Sequence, residues 1–273
     1  MKTLYRMPLA AKLGLLIVLF FALAAIFGPW LAPHGEAEIV GDVWEPFSAT
    51  FPLGTDSLGR DILSRMLWAA RNTIGVALAA TLLSFALGMT LGYVAAVVGG
   101  WVDLALSRLI DTVMAIPTLI FALVVLAVLP PSLPTLILVI AVLDSTRVFR
   151  LSRAVAMDVA VMDYVEVARL RGERLPWIIF REVLPNTLPP LIAEFGLRFC
   201  FAFLFLSSLS FLGLGIQPPA ADWGGMVRDN ANAISFGMIV PLIPAAAIAV
   251  LTIGVNLVVD WQLERSSTAR RRA

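Results

Sequence analysis

Charge is scarce in this chain. Only 14% of its 273 residues are Asp, Glu, Lys or Arg, 60% are hydrophobic, and the formal net charge is +1. A soluble domain of this length needs charged side chains over most of its exterior, so the bilayer must be the solvent for much of the chain. The small net charge gives a nucleic-acid partner no electrostatic support. There is one cysteine, Cys200, and one histidine, His34. A lone cysteine closes no internal disulfide, and one His with one distant Cys makes no metal site. Cys200 sits in an apolar run and is expected to be a small lipid- or helix-facing residue. Lysine is confined to Lys2 and Lys12, and no Gly-rich turn is followed by Lys and Ser or Thr. The chain therefore has no phosphate-gripping loop and cannot be an ATPase by that mechanism. No set of nucleophile, base and oxyanion donor stands out, so catalysis has little support.

What the chain has is long charge-free runs. A helix needs about 20 apolar residues to cross roughly 30 Å of hydrocarbon at 1.5 Å per residue. The first run spans Leu13 to Ala32, and the second spans Asn72 to Val102 with an apolar core from Thr73 to Val98. The third, Thr112 to Leu143, is too long for one span, and Pro130-Pro131-Ser132-Leu133-Pro134 divides it into two helices. A fifth helix is expected from Pro189–Pro190 to Phe211, and a sixth within Asn230 to Val259, from about Phe236 onward. The reading is an all-α membrane protein with six transmembrane helices.

Lys and Arg placement orients it. Lys2, Arg6 and Lys12 precede the first helix, and Arg265, Arg270, Arg271 and Arg272 follow the last. The segment between helices four and five carries Arg150, Arg153, Arg169, Arg171, Arg174 and Arg181, against Arg60, Arg65, Arg71 and Arg228 in the opposite segments. Both termini and the long central loop are expected to be cytoplasmic. The first run has the basic start of a cleaved signal peptide, but its apolar stretch exceeds the usual 7–15 residues, and its removal would unbalance the basic termini. The chain then divides into 1–71 (first helix and extracytoplasmic segment), 72–260 (a five-helix core with a cytoplasmic loop at 150–186) and a basic tail, 261–273.

Four places carry more than hydropathy. Leu53-Gly54-Thr55-Asp56-Ser57-Leu58-Gly59-Arg60-Asp61-Ile62-Leu63-Ser64-Arg65 ends the first extracytoplasmic segment, and Leu58, Ile62, Leu63, Met66 and Leu67 fall on one side of a short amphipathic helix. Lying at the interface, it reads as a linker or as a docking and gating surface carrying Asp56, Arg60 and Asp61. The central loop holds Tyr164-Val165-Glu166-Val167-Ala168-Arg169-Leu170-Arg171-Gly172, with Gly172 suited to a helix end and Leu184-Pro185 restarting the chain. It fits either a helix laid into a groove on another protein or a solvated amphipathic loop. Closely spaced Gly and Pro from Ser208 to Pro219 mark a shaped outer loop, with Trp223 after it as an interfacial anchor that joins Asp56, Arg60 and Asp61 among the docking and gating candidates. Finally, Asp144 with Arg147, and Glu194 with Arg198, place charges inside spans at i,i+3 and i,i+4 spacing. Such residues are functional candidates along a translocation path, or pairs that hold helices together.

Over nearly its whole length the chain resembles the inner-membrane permease subunits of ABC importers for dipeptides, oligopeptides and nickel, in particular the dipeptide-permease C type. The resemblance is carried by the Gly54 to Arg65 string, by Leu209-Ser210-Phe211-Leu212-Gly213-Leu214-Gly215 with Gln217-Pro218-Pro219, and by Trp223-Gly224. The central loop looks like the family's ATPase-docking motif, matched at Glu166, Ala168, Gly172, Leu184 and Pro185. Departures are Val167 for the first alanine, Glu182 for an apolar residue, and the charges of Arg171 and Glu173. Leu206 stands where related subunits often carry Glu, and Asp144 to Arg147 where a Trp-Pro-like stretch is common. The resemblance implies a type I ABC importer permease in the bacterial inner membrane, with no cofactor of its own and with ATP and Mg held by partner subunits. Those partners would be a homologous second permease, two cytoplasmic ATPases and an extracytoplasmic substrate-binding protein. Peptides lead the cargo expectation, ahead of nickel chelates, opines and sugar conjugates. From another class, an ion-coupled secondary carrier using Asp144, Glu194 and Arg198 would transport unaided and show an internal inverted repeat, of which the sequence gives no convincing sign.

Overall fold

The computed structural model describes residues 7–270, and side chains through residue 264. Lys2, Arg6, Arg271 and Arg272, and the side chains of Arg265 and Arg270, lie outside the described residues. Nine helices follow one another among the described residues, besides short turns: α1 (Leu9–Leu31), α2 (Ile62–Val98), α3 (Gly100–Met114), α4 (Thr118–Val128), α5 (Leu133–Ala160), α6 (Asp163–Leu170), α7 (Leu184–Phe211), α8 (Trp223–Asp229) and α9 (Leu242–Arg270). A one-turn helix, Leu175–Trp177, and a π-helical segment, Ile178–Val183, lead into α7 without a break in helical backbone.

Four helical stretches are long and apolar enough to cross a membrane: Leu9–Leu31, Ile62–Val98, Leu175–Phe211 and Leu242–Glu264. The pair α3 and α4 makes a fifth if it counts as one broken span, bent by 84°. This differs from six uniform spans at the third and fourth. The expected third helix is interrupted at Ala115–Pro117, where Pro117 caps α4. The expected fourth, α5, does start at the proline cluster, with Pro134 in its first turn and Ser132 capping it through Thr135 N. It then carries Asp144, Arg147, Arg150, Arg153 and Asp158, too many charges to qualify by composition. Several of these find partners on other helices: Arg153 binds Asp103 through two nitrogens, and Arg150 lies 2.7 Å from Asp111, both on α3.

Two further boundaries differ. Ile62 to Leu67 form the first turns of α2 and not a separate interfacial helix: Asp61 caps them, its Oδ2 accepting Ser64 N at 2.9 Å, and the 37 residues continue as one rod of roughly 55 Å. Pro189 and Pro190 lie inside α7 and do not start it. A packed neighbour and side-chain donors let a membrane helix tolerate proline. Here Tyr93 of α2 meets Thr187 Oγ1 at 2.7 Å, and Asn186 Nδ2 donates to Glu182 O at 2.6 Å.

Close packing rests on small residues, as expected where lipid is as apolar as the helix and only tight contact favours association. Gly88 and Gly92 bring α2 against α5: a Cβ at Gly88 would lie 2.6 Å from Val148 Cβ and 2.7 Å from Ser145 O. Ser152 Oγ donates to Gly88 O across that seam at 3.1 Å. Gly14 and Gly254 do the same for α1 and α9. The main core gathers Phe21, Phe203, Leu206, Leu209, Trp223 and Met226.

Candidate functional site

Three clusters hold the residues singled out by sequence. The first lies within the helices. Asp144 of α5 is 1% exposed; its Oδ1 is 3.3 Å from Arg198 NH1 and its Oδ2 accepts Ser84 Oγ of α2 at 3.1 Å. Arg198 Nε also lies 2.7 Å from Glu194 Oε1, an ion pair by distance whose alignment makes no hydrogen bond. Three helices thus meet at one cation shared by two carboxylates. The i,i+4 pair of α7 forms as the spacing suggests. The i,i+3 pair of α5 does not: Asp144 reaches across to Arg198, while Arg147 turns to stack on Phe201, 4.3 Å from the ring centroid. Arg198 flanks the same ring at 5.7 Å. Counting 1.5 Å per residue, Asp144 is about 17 Å from the Leu133 end of α5 and Arg198 about 20 Å from the Phe211 end of α7. Both positions therefore lie several turns in from those helix ends.

The second cluster is at the Val98 end of α2. Helix α6 has two faces. Val165 and Ala168 are fully buried against Val97, Ile178 and Val183, whereas Tyr164, Val167 and Leu170 are 42%, 51% and 82% exposed. Glu166 and Gly172 are exposed as well. Arg169 fastens the helix to the end of α2, donating to Val97 O at 2.9 Å, a cation satisfying a helix-terminal carbonyl. Gly172, at φ +79, closes α6 with a Schellman pair: its N–H donates to Arg169 O at 2.9 Å and Glu173 N–H to Ala168 O at 3.2 Å. Leu184 and Pro185 open α7 beyond the π-helical segment. Of the motif residues, Ala168 is therefore inward-facing packing. Leu170 and Tyr164 are outward-facing residues the motif does not mark; their i,i+3 spacing with Val167 is the signal that finds them.

The third cluster is at the opposite end of α2. Asp56 is fully buried, its Oδ1 accepting Leu58 N and Arg60 N at 2.8 and 3.0 Å, its Oδ2 accepting Arg60 Nε at 2.7 Å. Arg65 Nε is 3.4 Å from the same oxygen. Gly59, at φ +75, lets the chain pass directly beneath Gly41 O. Asp56, Arg60 and Asp61 are thus internal struts of a folded loop, and its exposed apolar surface belongs to Ile39, Val43, Phe47 and Leu58. Trp223 is 1% exposed, so it packs inside the fold and is not the interfacial anchor expected from its residue type. Its Nε1 donates to Met66 O at 3.2 Å, and its ring meets Phe21 and Phe203 edge-on. Asn230 joins this loop to the α8 turn, its Oδ1 accepting Ser57 N at 2.9 Å and its Nδ2 donating to Met226 O at 2.9 Å. Neighbouring Asp222 caps α8 through Gly225 N at 3.0 Å, and burial raises its carboxyl above the usual carboxylate range against the lowering effect of that bond.

The family model described as "Binding-protein-dependent transport system inner membrane component" matches residues 88–272, from the α2–α5 seam through α6 to the end of α9. The chain belongs to that family. A second model, the N-terminal TM domain of oligopeptide transport permease C, matches residues 9–44. Among curated relatives of this permease is a di/tripeptide transport system permease protein of Pseudomonas aeruginosa, 35% identical over 90% of this chain and 84% of that protein. A dipeptide transport system permease protein of Alkalihalophilus pseudofirmus is 34% identical over 92% and 83%. A glutathione transport system permease protein of Pectobacterium atrosepticum is 31% identical over 93% and 85%. Among solved structures, an amino acid ABC transporter crystallised with histidines shares the fold, with a TM-score of 0.55 at 17% identity, over 74% of this chain and 94% of that one.

Proposed function

We propose that this chain is one of the two membrane-spanning subunits of an ATP-driven peptide importer of the bacterial inner membrane. The observation that carries the reading is α6, fixed from behind by Val165, Ala168, Arg169 and the Gly172 cap while presenting Tyr164, Val167 and Leu170 outward. A short helix with an anchored back and an apolar front fits a groove on another protein. In a binding-protein-dependent permease that protein is the ATPase, which holds ATP and Mg. Closure of two ATPases on nucleotide then rocks the helices between inward-open and outward-open states. In this reading both termini and α6 are cytoplasmic, α5 completes six passes beside the bent α3–α4 pair, and a homologous permease forms the other wall. A substrate-binding protein delivers cargo to the apolar rim of Ile39, Val43, Phe47 and Leu58. The names of the relatives support di- and tripeptides as cargo.

The test is Leu170→Glu in the reconstituted complex, with Ala168→Gly as an inward-facing comparison. A charge at an 82% exposed position should leave membrane insertion intact. It should cut cargo-stimulated ATP hydrolysis and import at least about tenfold, as expected when an apolar interface anchor is lost. Unchanged hydrolysis and import in Leu170→Glu would refute the docking role.

A further inference from the structure

An arginine at bilayer depth is costly and ordinarily pairs with a carboxylate. Arg147 has none within 4.0 Å among the described residues. The nearby acids are taken: Asp144 by Arg198 and Ser84, Glu194 by Arg198. Arg147 instead lies over the Phe201 ring. A ring face occupies one face of a guanidinium and leaves its in-plane N–H donors unused. The Arg147 side chain borders a cavity of about 60 Å³ at the 84° bend, lined also by Val113, Met114, Thr118, Leu143 and Thr146. Thr146 spends its hydroxyl proton on Leu143 O at 2.8 Å. The Thr118 hydroxyl makes no hydrogen bond to another described residue. Two unused donors of different kinds therefore share one small hollow, walled on its other side by Val113, Met114 and Leu143. A cavity needs about 10–15 Å³ to hold one water, so the hollow has room for a group of a few heavy atoms, such as a carboxylate, and not for a whole peptide.

We propose that Arg147, assisted by Thr118, is an anion subsite in the translocation path that takes the terminal carboxylate of the cargo. A planar guanidinium matches a carboxylate through paired N–H donors, a charge-assisted bond stronger than one between neutral groups. That the carboxylate comes from cargo rests on the importer reading; the carboxylate chemistry does not.

The experiment uses the assembled complex in lipid nanodiscs without the binding protein, so that only the path is sampled. Binding of dialanine and of dialanine amide is measured calorimetrically for the wild type, Arg147→Gln, Arg147→Lys and Thr118→Val. The wild type should prefer the free acid by about tenfold, Arg147→Gln should lose the preference, Arg147→Lys should keep part of it, and Thr118→Val should lose less. The result is overturned if the wild type binds acid and amide alike, or if Arg147→Gln keeps the full preference. It is overturned too if Arg147→Gln sheds the second permease, which would make Arg147 a pairing partner across the subunit interface. A preference present only in discs free of anionic lipid would assign the site to headgroups and overturn the cargo source. A wild type that shows the preference yet imports nothing with every partner present upholds the subsite and sinks the importer reading instead.

Discussion

Replacing Gly88 by alanine should destabilise the chain, while the same change at Gly75 on the same helix should stabilise it. At Gly88 the new Cβ would stand 2.6 Å from Val148 Cβ, where ordinary contact begins at 3.4 Å, so α2 and α5 would have to part by about 0.8 Å (3.4 − 2.6). Backbone atoms, Ser145 O at 2.7 Å and Phe149 N at 2.9 Å, block the alternative of moving one side chain. Overpacking of this kind costs about 1–3 kcal/mol, offset by close to 1 kcal/mol of helix propensity, for a net loss of up to roughly 2 kcal/mol. At Gly75 a Cβ meets nothing within 4 Å, and only the propensity gain of about 0.5–1 kcal/mol remains. The assay is a thermal melt of the purified chain in detergent. At about 2–4 °C per kcal/mol, Gly88→Ala should melt several degrees lower and Gly75→Ala one to a few degrees higher, each figure approximate. Equal shifts of the same sign would refute the reasoning, because they would mean that the seam does not depend on the missing side chain.

Two other outcomes follow from buried charge. Asp144→Leu or Arg198→Leu alone should cost several kcal/mol, in line with about 3–5 kcal/mol for breaking a buried pair, and the double variant, which still leaves Glu194 without Arg198, should recover part of it in the same melt; additive losses would show that the two do not interact. Asp222→Ala should lose about 1 kcal/mol with the α8 cap, whereas Asp222→Asn keeps an acceptor for Gly225 N. Burial raises the Asp222 carboxyl, so its ionised form is the costly one in the folded state. That cost is absent below the unfolded value near 4 and grows as pH climbs through the raised folded value, so Asp222→Asn should gain on the wild type with rising pH; a constant difference between the two would sink the account.

Apolar runs, the proline cluster before α5 and the family strings were legible in the sequence because each depends on local composition. The Glu194–Arg198 pair was legible for the same reason, since i,i+4 spacing brings side chains together on any helix. Asp144 and Arg147 defeated the same rule. Their partners, Arg198 and Phe201, lie on α7 more than fifty residues away, and tertiary contact outweighed spacing. Proline misled in both directions: it stops a helix at Pro130 but is carried inside α7 at Pro189 and Pro190, where Tyr93 braces the turns below it. The break at Ala115–Pro117 was hidden because a single proline in an apolar run gives no angle. Trp223 looked like an anchor by residue type, and only the fold shows three helices closing around it.

Helix α2 is gripped at both extremities. Below Val98 the Arg169 guanidinium ties it to α6, and beyond Ile62 the Asp56 carboxylate locks Arg65 of its second turn into the opposite loop. A shaft clamped in this way has little freedom to absorb a thrust by bending. A displacement imposed at Leu170 should therefore emerge some 55 Å away as movement of the rim around Leu58, with the α5 seam at Gly88 and Gly92 carried along as ballast.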